Sequence, residues 1–279
     1  MRKVLLVALS VLVIGFALPS TAVAGSLTLH PAGFGEKSRA NWKAGAGEPD
    51  STGDANQALY MQKMTTTTTF AAGVVLIKGV EGLTADQLTG LKWDHREDGH
   101  CGAGAPRWNV GVRDPLGNNQ VVFLGCNAAA HAEAGTFSGH GWCTDTQPSP
   151  AAVIAAQVGA PANMITIRNL AIVFDEGNDT ANPPPAGCAQ EQLAGGFVFL
   201  DNITVTLNGT PHVWTSASDN GNQAYSPTFG ASVAFADELV PTADILALLQ
   251  EVVPGVALTD WVLYPDVEPA DIVIPTGLP

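Results

Sequence analysis

From residue 58 to residue 214 the chain repeats one pattern: a short run of β-branched and aromatic residues, then a cluster of Gly, Pro, Asn or Asp. That punctuation constrains the fold more than any other feature, because a chain broken this often builds strands more readily than helices. In Ala58–Met64, Leu59, Met61 and Lys63 fall on one face and Tyr60, Gln62 and Met64 on the other, since successive strand residues point to opposite sides. Thr65–Thr69 continues with stiff β-branched side chains, and Gly73–Ile77 and Leu91–Asp94 read as further strands. Arg107–Arg113 and Val121–Leu124 form a hairpin around Asp114–Asn119, where Pro presets φ and Gly or Asn tolerates positive φ. Met164–Arg168 leads into Leu170–Asp175. In Phe197–Leu207, alternation places Phe197, Phe199, Asp201, Ile203, Val205 and Leu207 on one face, and Asn208-Gly209 turns the chain into His212–Trp214.

At least eight such strands with few helices predict a mainly β protein, an antiparallel β-sandwich or jelly roll with a few short helices. The absence of a strand–helix rhythm counts against a parallel α/β enzyme fold. A short helical turn is expected over 83–90, with Thr84 as its cap. A helix is expected over Ser149–Gly159, which has a cap, a first-turn proline and a terminal glycine. Another is expected over Thr242–Val253, ended by Pro254-Gly255 and followed by a last strand, Trp261–Tyr264. Residues 25–56, with turns at Ala44–Gly47 and Asp50–Gly53, read as an extended segment, and 127–143 as a long loop of small and polar residues. The expected division is a sandwich over 25–214 and an extension over 215–279 packed on it.

Residues 1–24 have the layout of a cleaved signal peptide: Arg2 and Lys3, an apolar run from Val4 to Leu18, then small residues with Ala22 and Ala24 in an A-x-A pattern. The apolar run is short for a membrane span. The chain is therefore expected to be secreted to the extracellular side by bacterial-type export, with no membrane association after cleavage. Losing those two basic residues takes the formal charge from −14 to −16. That excess disfavours nucleic acid and anionic lipid and is compatible with hard cations. The even number of cysteines in an exported chain predicts two disulfides. Three pairings are open; Cys101–Cys126, flanking the hairpin, is preferred, and Cys143–Cys188 then follows.

Gly195-Gly196-Phe197-Val198-Phe199-Leu200-Asp201-Asn202-Ile203-Thr204-Val205 resembles the closing strand of bacterial jelly-roll carbohydrate-binding modules, with its Asp-Asn-Ile step after a loop. The strand ending Val173–Gly177 and the Ala58–Tyr60 strand fit the same architecture, and together these cover about a tenth of the chain. The resemblance implies a structural calcium with Asp201 at the matching position. It departs from the family in its aromatics, because Trp42, Trp93, Trp108, Trp142, Trp214 and Trp261 show no repeated spacing that defines a sugar platform.

Read residue by residue, Asp175, Glu176, Asp179 and Asp201 could form an oxygen-rich calcium site joining two strand ends, with Asp175 and Asp201 as its chief ligands. The dense polar stretch Asp94–His100 nominates His95, Arg96 and His100 for ligand binding, and Trp108 and Trp142 could stack on a sugar ring. Against these stand a hydrated loop beside a disulfide and tryptophans spent on the core. No Gly-x-Ser-x-Gly elbow, His-Glu-x-x-His or phosphate loop is present. The leading expectation is a secreted, non-catalytic β-sandwich that binds a glycan or another surface ligand, with a structural calcium. The alternatives are a structural or adhesive surface protein, and a secreted hydrolase using acids such as Asp94 or Glu97.

Overall fold

The computed structural model describes residues 27–50, 56–69, 71–180, 187–188 and 195–220, and a two-residue ladder pairing Val262–Leu263 with Ile272–Val273. The expected signal peptide and the helix over 242–253 lie outside the described residues, as do Trp261 and Tyr264 of the last expected strand.

Twelve strands build two antiparallel sheets: β1 (Thr28–Phe34), β2 (Ser38–Lys43), β3 (Ala58–Lys63), β4 (Ala72–Lys78), β5 (Leu88–Arg96), β6 (Arg107–Arg113), β7 (Asn119–Gly125), β8 (Ala130–Phe137), β9 (His140–Thr146), β10 (Thr166–Phe174), β11 (Phe197–Leu207) and β12 (Thr210–Trp214). One sheet runs β1-β4-β10-β6-β7; the other runs β2-β3-β11-β5-β9-β8, with β12 beside β11. The expected antiparallel β-sandwich is therefore the fold.

Its core lies between the sheets. Val75, Ile77, Trp108, Val110 and Ile172 come from the five-stranded sheet, and Trp42, Leu59, Met61, Trp93, Val198 and Leu200 from the seven-stranded one. Trp93 and Trp108 stack across the interior at 4.8 Å and 21°. Each indole takes about 200 Å² out of water, an upper bound of roughly 5 kcal/mol of transfer free energy. Both disulfides form as expected, Cys101–Cys126 and Cys143–Cys188. The helix α1 (Pro150–Val158) has proline at its first turn and ends at Gly159, but Ser149 has φ 47° and makes no side-chain capping bond.

Four local readings change. The segment before residue 56 contains β1 and β2, whose joining corner hides its alternation: a Cβ at Gly33 would lie 2.7 Å from the Arg39 Cα, so the backbones meet with no room for a side chain. The expected loop 127–143 contains β8 and most of β9, joined through Ser138 (φ 52°) and Gly139 (φ 79°), the backbone signature of a two-residue hairpin turn. β8 is an edge strand with no buried residue, so it carries no apolar alternation to read. His95 and Arg96 belong to β5 rather than to a loop.

The fourth change bears on function. The six alternating residues of β11 do not share a face. Its pairing with β5 shifts between Asp201 and Thr204, where Asn202 has φ 47°. This bulge reverses the phase of the strand: Val198 and Leu200 face the core before it, and Ile203, Val205 and Leu207 after it. Phe197, Phe199 and Asp201 are thereby turned to the outer side of the sheet.

Candidate ligand face and cation site

The outward phase of β11 continues across the sheet as a register row. Asn41 of β2 pairs with Tyr60 of β3, Tyr60 with Phe199 of β11, and Arg96 of β5 with Trp142 of β9. Ala58, Tyr60, Trp142 and Phe199, all buried, form a second hydrophobic cluster apart from the main core, with Ala46, Ala134, Phe137 and Phe197 packed against it. The Tyr60 and Phe199 centroids are 4.7 Å apart, and Phe197 stands edge-on to Phe199 at 6.1 Å. Lys43 Nζ lies 3.6 Å above the Tyr60 ring, and the Arg96 guanidinium carbon 3.6 Å above the Phe199 ring. Both distances lie within the range where a ring quadrupole attracts a cation. Burial pushes the Tyr60 hydroxyl pKa up, against the pull of Arg39 and Arg96.

Beside this row sits a carboxylate cluster. Asp201 is fully buried; its Oδ2 accepts the Glu48 N–H at 2.8 Å and its Oδ1 the Asn202 N–H at 2.7 Å. Asn202 Nδ2 donates to Asp94 Oδ2 at 2.8 Å and to Glu48 Oε2 at 3.1 Å. Asp94 Oδ1 accepts the Thr144 hydroxyl at 2.5 Å and has Lys92 Nζ at 3.9 Å. Asp50 Oδ2 accepts the Gln57 N–H. Glu48 Oε1 is buried with no hydrogen-bond partner. Burial, and then Asp94, push Glu48 up to about 7. Burial pushes Asp201 up to about 8, with Asp50 and Glu48 adding to it and backbone donors opposing it. Gly47 lets the β2–β3 loop reach this carboxylate: a Cβ there would fall 2.6 Å from Asp201 Oδ2 and 2.2 Å from the Gln57 carbonyl oxygen.

The opposite face of the same strands holds a different carboxylate. Asp145 is buried, and its Oδ2 accepts Trp93 Nε1 at 2.7 Å and His95 Nδ1 at 2.5 Å, while its Oδ1 accepts His131 Nδ1 at 2.7 Å. Cys126 Sγ of the first disulfide lies 3.3 Å from Oδ2. Burial pushes Asp145 upward, but the hydrogen bonds from His131 and His95 outweigh it and hold the carboxyl below its ordinary range. The same bond to Asp145 raises His131.

The structure thus separates the residues nominated from sequence. Trp108 is buried against Trp93, His100 is buried edge-on to Phe174 at 5.9 Å, and His95 is committed to Asp145. These three are corrected to interior residues, because none presents a face to a ligand. Arg96 and Trp142 do meet, in the outer row, although Trp142 is itself buried there. Asp175 and Asp201 lie in separate environments. Both Asp175 oxygens are taken by Arg107, at 2.5 and 2.7 Å, and its backbone carbonyl accepts the buried Lys63 Nζ at 2.7 Å. Asp179 and Glu176 hold the Thr67 hydroxyl. The expected pairing of Asp175 with Asp201 around one ion is therefore corrected: the acids near Asp201 are Glu48, Asp50 and Asp94. Sequence reading missed Glu48, Asp50, Tyr60, Arg39 and Lys43 as site residues. The available signals were Glu48-Pro49-Asp50 in a glycine-rich loop and the even spacing of Phe197, Phe199 and Asp201.

Among the described residues, no helix is long and apolar enough to cross a membrane. No protein-family model matches the chain, and no curated protein matches it. Among solved structures, the family 11 carbohydrate-binding module of the cellulosomal cellulase Lic26A-Cel5E of Clostridium thermocellum is similar at a TM-score of 0.33 and 10% identity, covering 66% of this chain and 91% of that one.

Proposed function

We propose that this is an exported, non-catalytic β-sandwich that binds a glycan on the outer face of its seven-stranded sheet. The observation that carries the reading is the Tyr60–Phe197–Phe199 cluster. A sandwich needs one interior, and a bulge that reverses β11 holds Phe197 and Phe199 outside it, beside Tyr60 of β3. The half-buried Phe197 offers an apolar surface, and Asn41, Gln62, Arg39 and the cations laid over the buried Tyr60 and Phe199 rings supply the hydrogen-bonding groups a sugar uses.

A calcium ion belongs to the same reading, and the unpartnered buried Glu48 Oε1 favours it. Glu48 and Asp94, bridged by Asn202 Nδ2, offer only oxygen, which suits a hard cation, and the raised Glu48 carboxyl is one a cation would relieve. The ion would tie the β2–β3 loop to β5 and β11 beside the ligand face. Its chemistry there is structural.

The test is a pull-down of residues 25–279 on a panel of insoluble and immobilised polysaccharides, in calcium and in EDTA. Saturable binding competed by free sugar is expected, and Phe197→Ala and Tyr60→Ala should abolish it, with thermal melts confirming that each variant is folded. Failure to bind any glycan in either condition sinks the proposal.

A further inference from the structure

Resting on that reading of the face, we infer that its ligand is an acidic glycan, whose carboxylate or sulfate groups are held by Lys43 and Arg39. The chain has only 12 Lys and Arg against 26 Asp and Glu, yet Arg39, Lys43 and Arg96 converge on the aromatic row. The rings do not offer bare faces: the ammonium of Lys43 covers Tyr60 and the guanidinium of Arg96 covers Phe199. A ligand approaching this face therefore meets nitrogen before carbon.

The three cations are not equivalent. Arg96 is already neutralised by Asp98, through Nε to Oδ1 at 2.6 Å and Nη2 to Oδ2 at 3.0 Å. Among the described residues, neither Lys43 nor Arg39 has an ion-pair partner. Lys43 is half-buried, and burial, then Arg39 and Arg96, pull its pKa down. A partly desolvated ammonium in the company of two other cations is an unfavourable arrangement that an incoming anion reverses. Arg39, exposed on the same face of β2 four register pairs along the strand, supplies a second anchor with the fork that suits carboxylate and sulfate.

Charge also limits how dense the ligand's charge can be. At −14 overall, the protein repels a polyanion at long range, so the face gains from single anions at contact and not from steering. A glycan with charges spaced along an otherwise hydroxylated chain satisfies both the rings and the cations.

Affinity electrophoresis and calorimetry of residues 25–279 in calcium, against a polyuronate, a sulfated galactan, a neutral xylan, a neutral β-glucan and polyphosphate, test this. Binding to the polyuronate or the sulfated galactan at least tenfold tighter than to the neutral chains is expected, and which acid binds tells carboxylate from sulfate. The preference should fall tenfold or more in Lys43→Gln/Arg39→Gln, return in part in Lys43→Arg/Arg39→Lys, and weaken with salt. Equal or preferential binding to a neutral glycan overturns the acidic-ligand inference and leaves glycan binding standing. Binding to polyphosphate as tight as to the acidic glycans overturns it as non-selective anion capture. Binding to none of them removes both.

Discussion

Residues 94 and 95 are neighbours in β5, and they lead to two carboxylate sites on opposite sides of one sheet. Inside, Asp145 is surrounded by N–H donors from Trp93, His95 and His131, and its pKa falls. Outside, Glu48 and Asp201 are crowded by further acids; their pKa values rise and one Glu48 oxygen has no partner. Burial acts on both groups in the same direction, so the difference lies in their neighbours, histidines around Asp145 and further acids around Glu48 and Asp201. A buried carboxylate whose oxygens are all satisfied fixes a fold. One left short of positive charge is where the proposed cation would act.

The largest expected effect is on the inner site. Asp145→Ala strands three buried or half-buried donors and leaves a cavity, so it should cost about 3–5 kcal/mol, the usual loss when one partner of a buried charged pair is removed. Urea denaturation midpoints measure it. Glu48→Gln should do the reverse of what a buried substitution normally does. The amide oxygen keeps the bond from Asn202 while a like charge disappears, so the calcium-free protein should be no less stable than wild type. Wild type should gain about 2.7 kcal/mol at a calcium concentration 100 times Kd, and Glu48→Gln should gain little. If EDTA leaves the wild-type midpoint unchanged from that in calcium, the outer site is not a cation site and the contrast between the two faces collapses.

How far the sequence reveals this contrast depends on which signal each part needs. The sandwich was legible because β3 and β6 keep their alternation and β10 carries an unbroken apolar run over Leu170–Phe174, each with strands on both sides. Both disulfides were legible from the hairpin between Cys101 and Cys126. The site was not. Alternation along Phe197–Leu207 predicts one face, but Asn202 at φ 47° inserts an extra residue, and nothing in Asp-Asn-Ile alone announces the bulge. His95 looks like a loop residue because its polarity is satisfied by Asp145, fifty positions away, a partner that only tertiary structure supplies, while Arg96 pairs locally with Asp98. Glu48 and Asp201 are 153 positions apart, and no local pattern joins them.

The pH dependence of stability separates the two sites further. Glu48 and Asp201 are raised carboxyls, so without metal they favour the native state fully below about pH 4, and that contribution is lost as pH rises through about 7 and about 8. Asp145 is lowered, so its contribution is present above its ordinary range near pH 4 and is lost on acidification. The metal-free protein should therefore be most stable at mildly acidic pH, and its denaturation midpoint should fall from about pH 5 to about pH 8. Calcium should remove most of that fall, and Glu48→Gln should remove the part that runs from the ordinary carboxyl range up to about 7. A flat profile in EDTA would mean that the outer carboxyls are not held protonated by the fold.

The smallest expected effect belongs to His131, the one Asp145 donor with a water-facing side. Its pKa is raised by the bond to Asp145, so its contribution is complete below the ordinary histidine value near 6.5 and is lost as pH rises through the raised one. With calcium present, this histidine should account for what remains of the alkaline fall. His131→Asn should cost about 1 kcal/mol at pH 6, because water can replace the donor at a site with 17% side-chain exposure, and it should remove that residual slope. A cost as large as that of Asp145→Ala would show that all three donors act as one indivisible unit, and that the inner site tolerates no partial satisfaction.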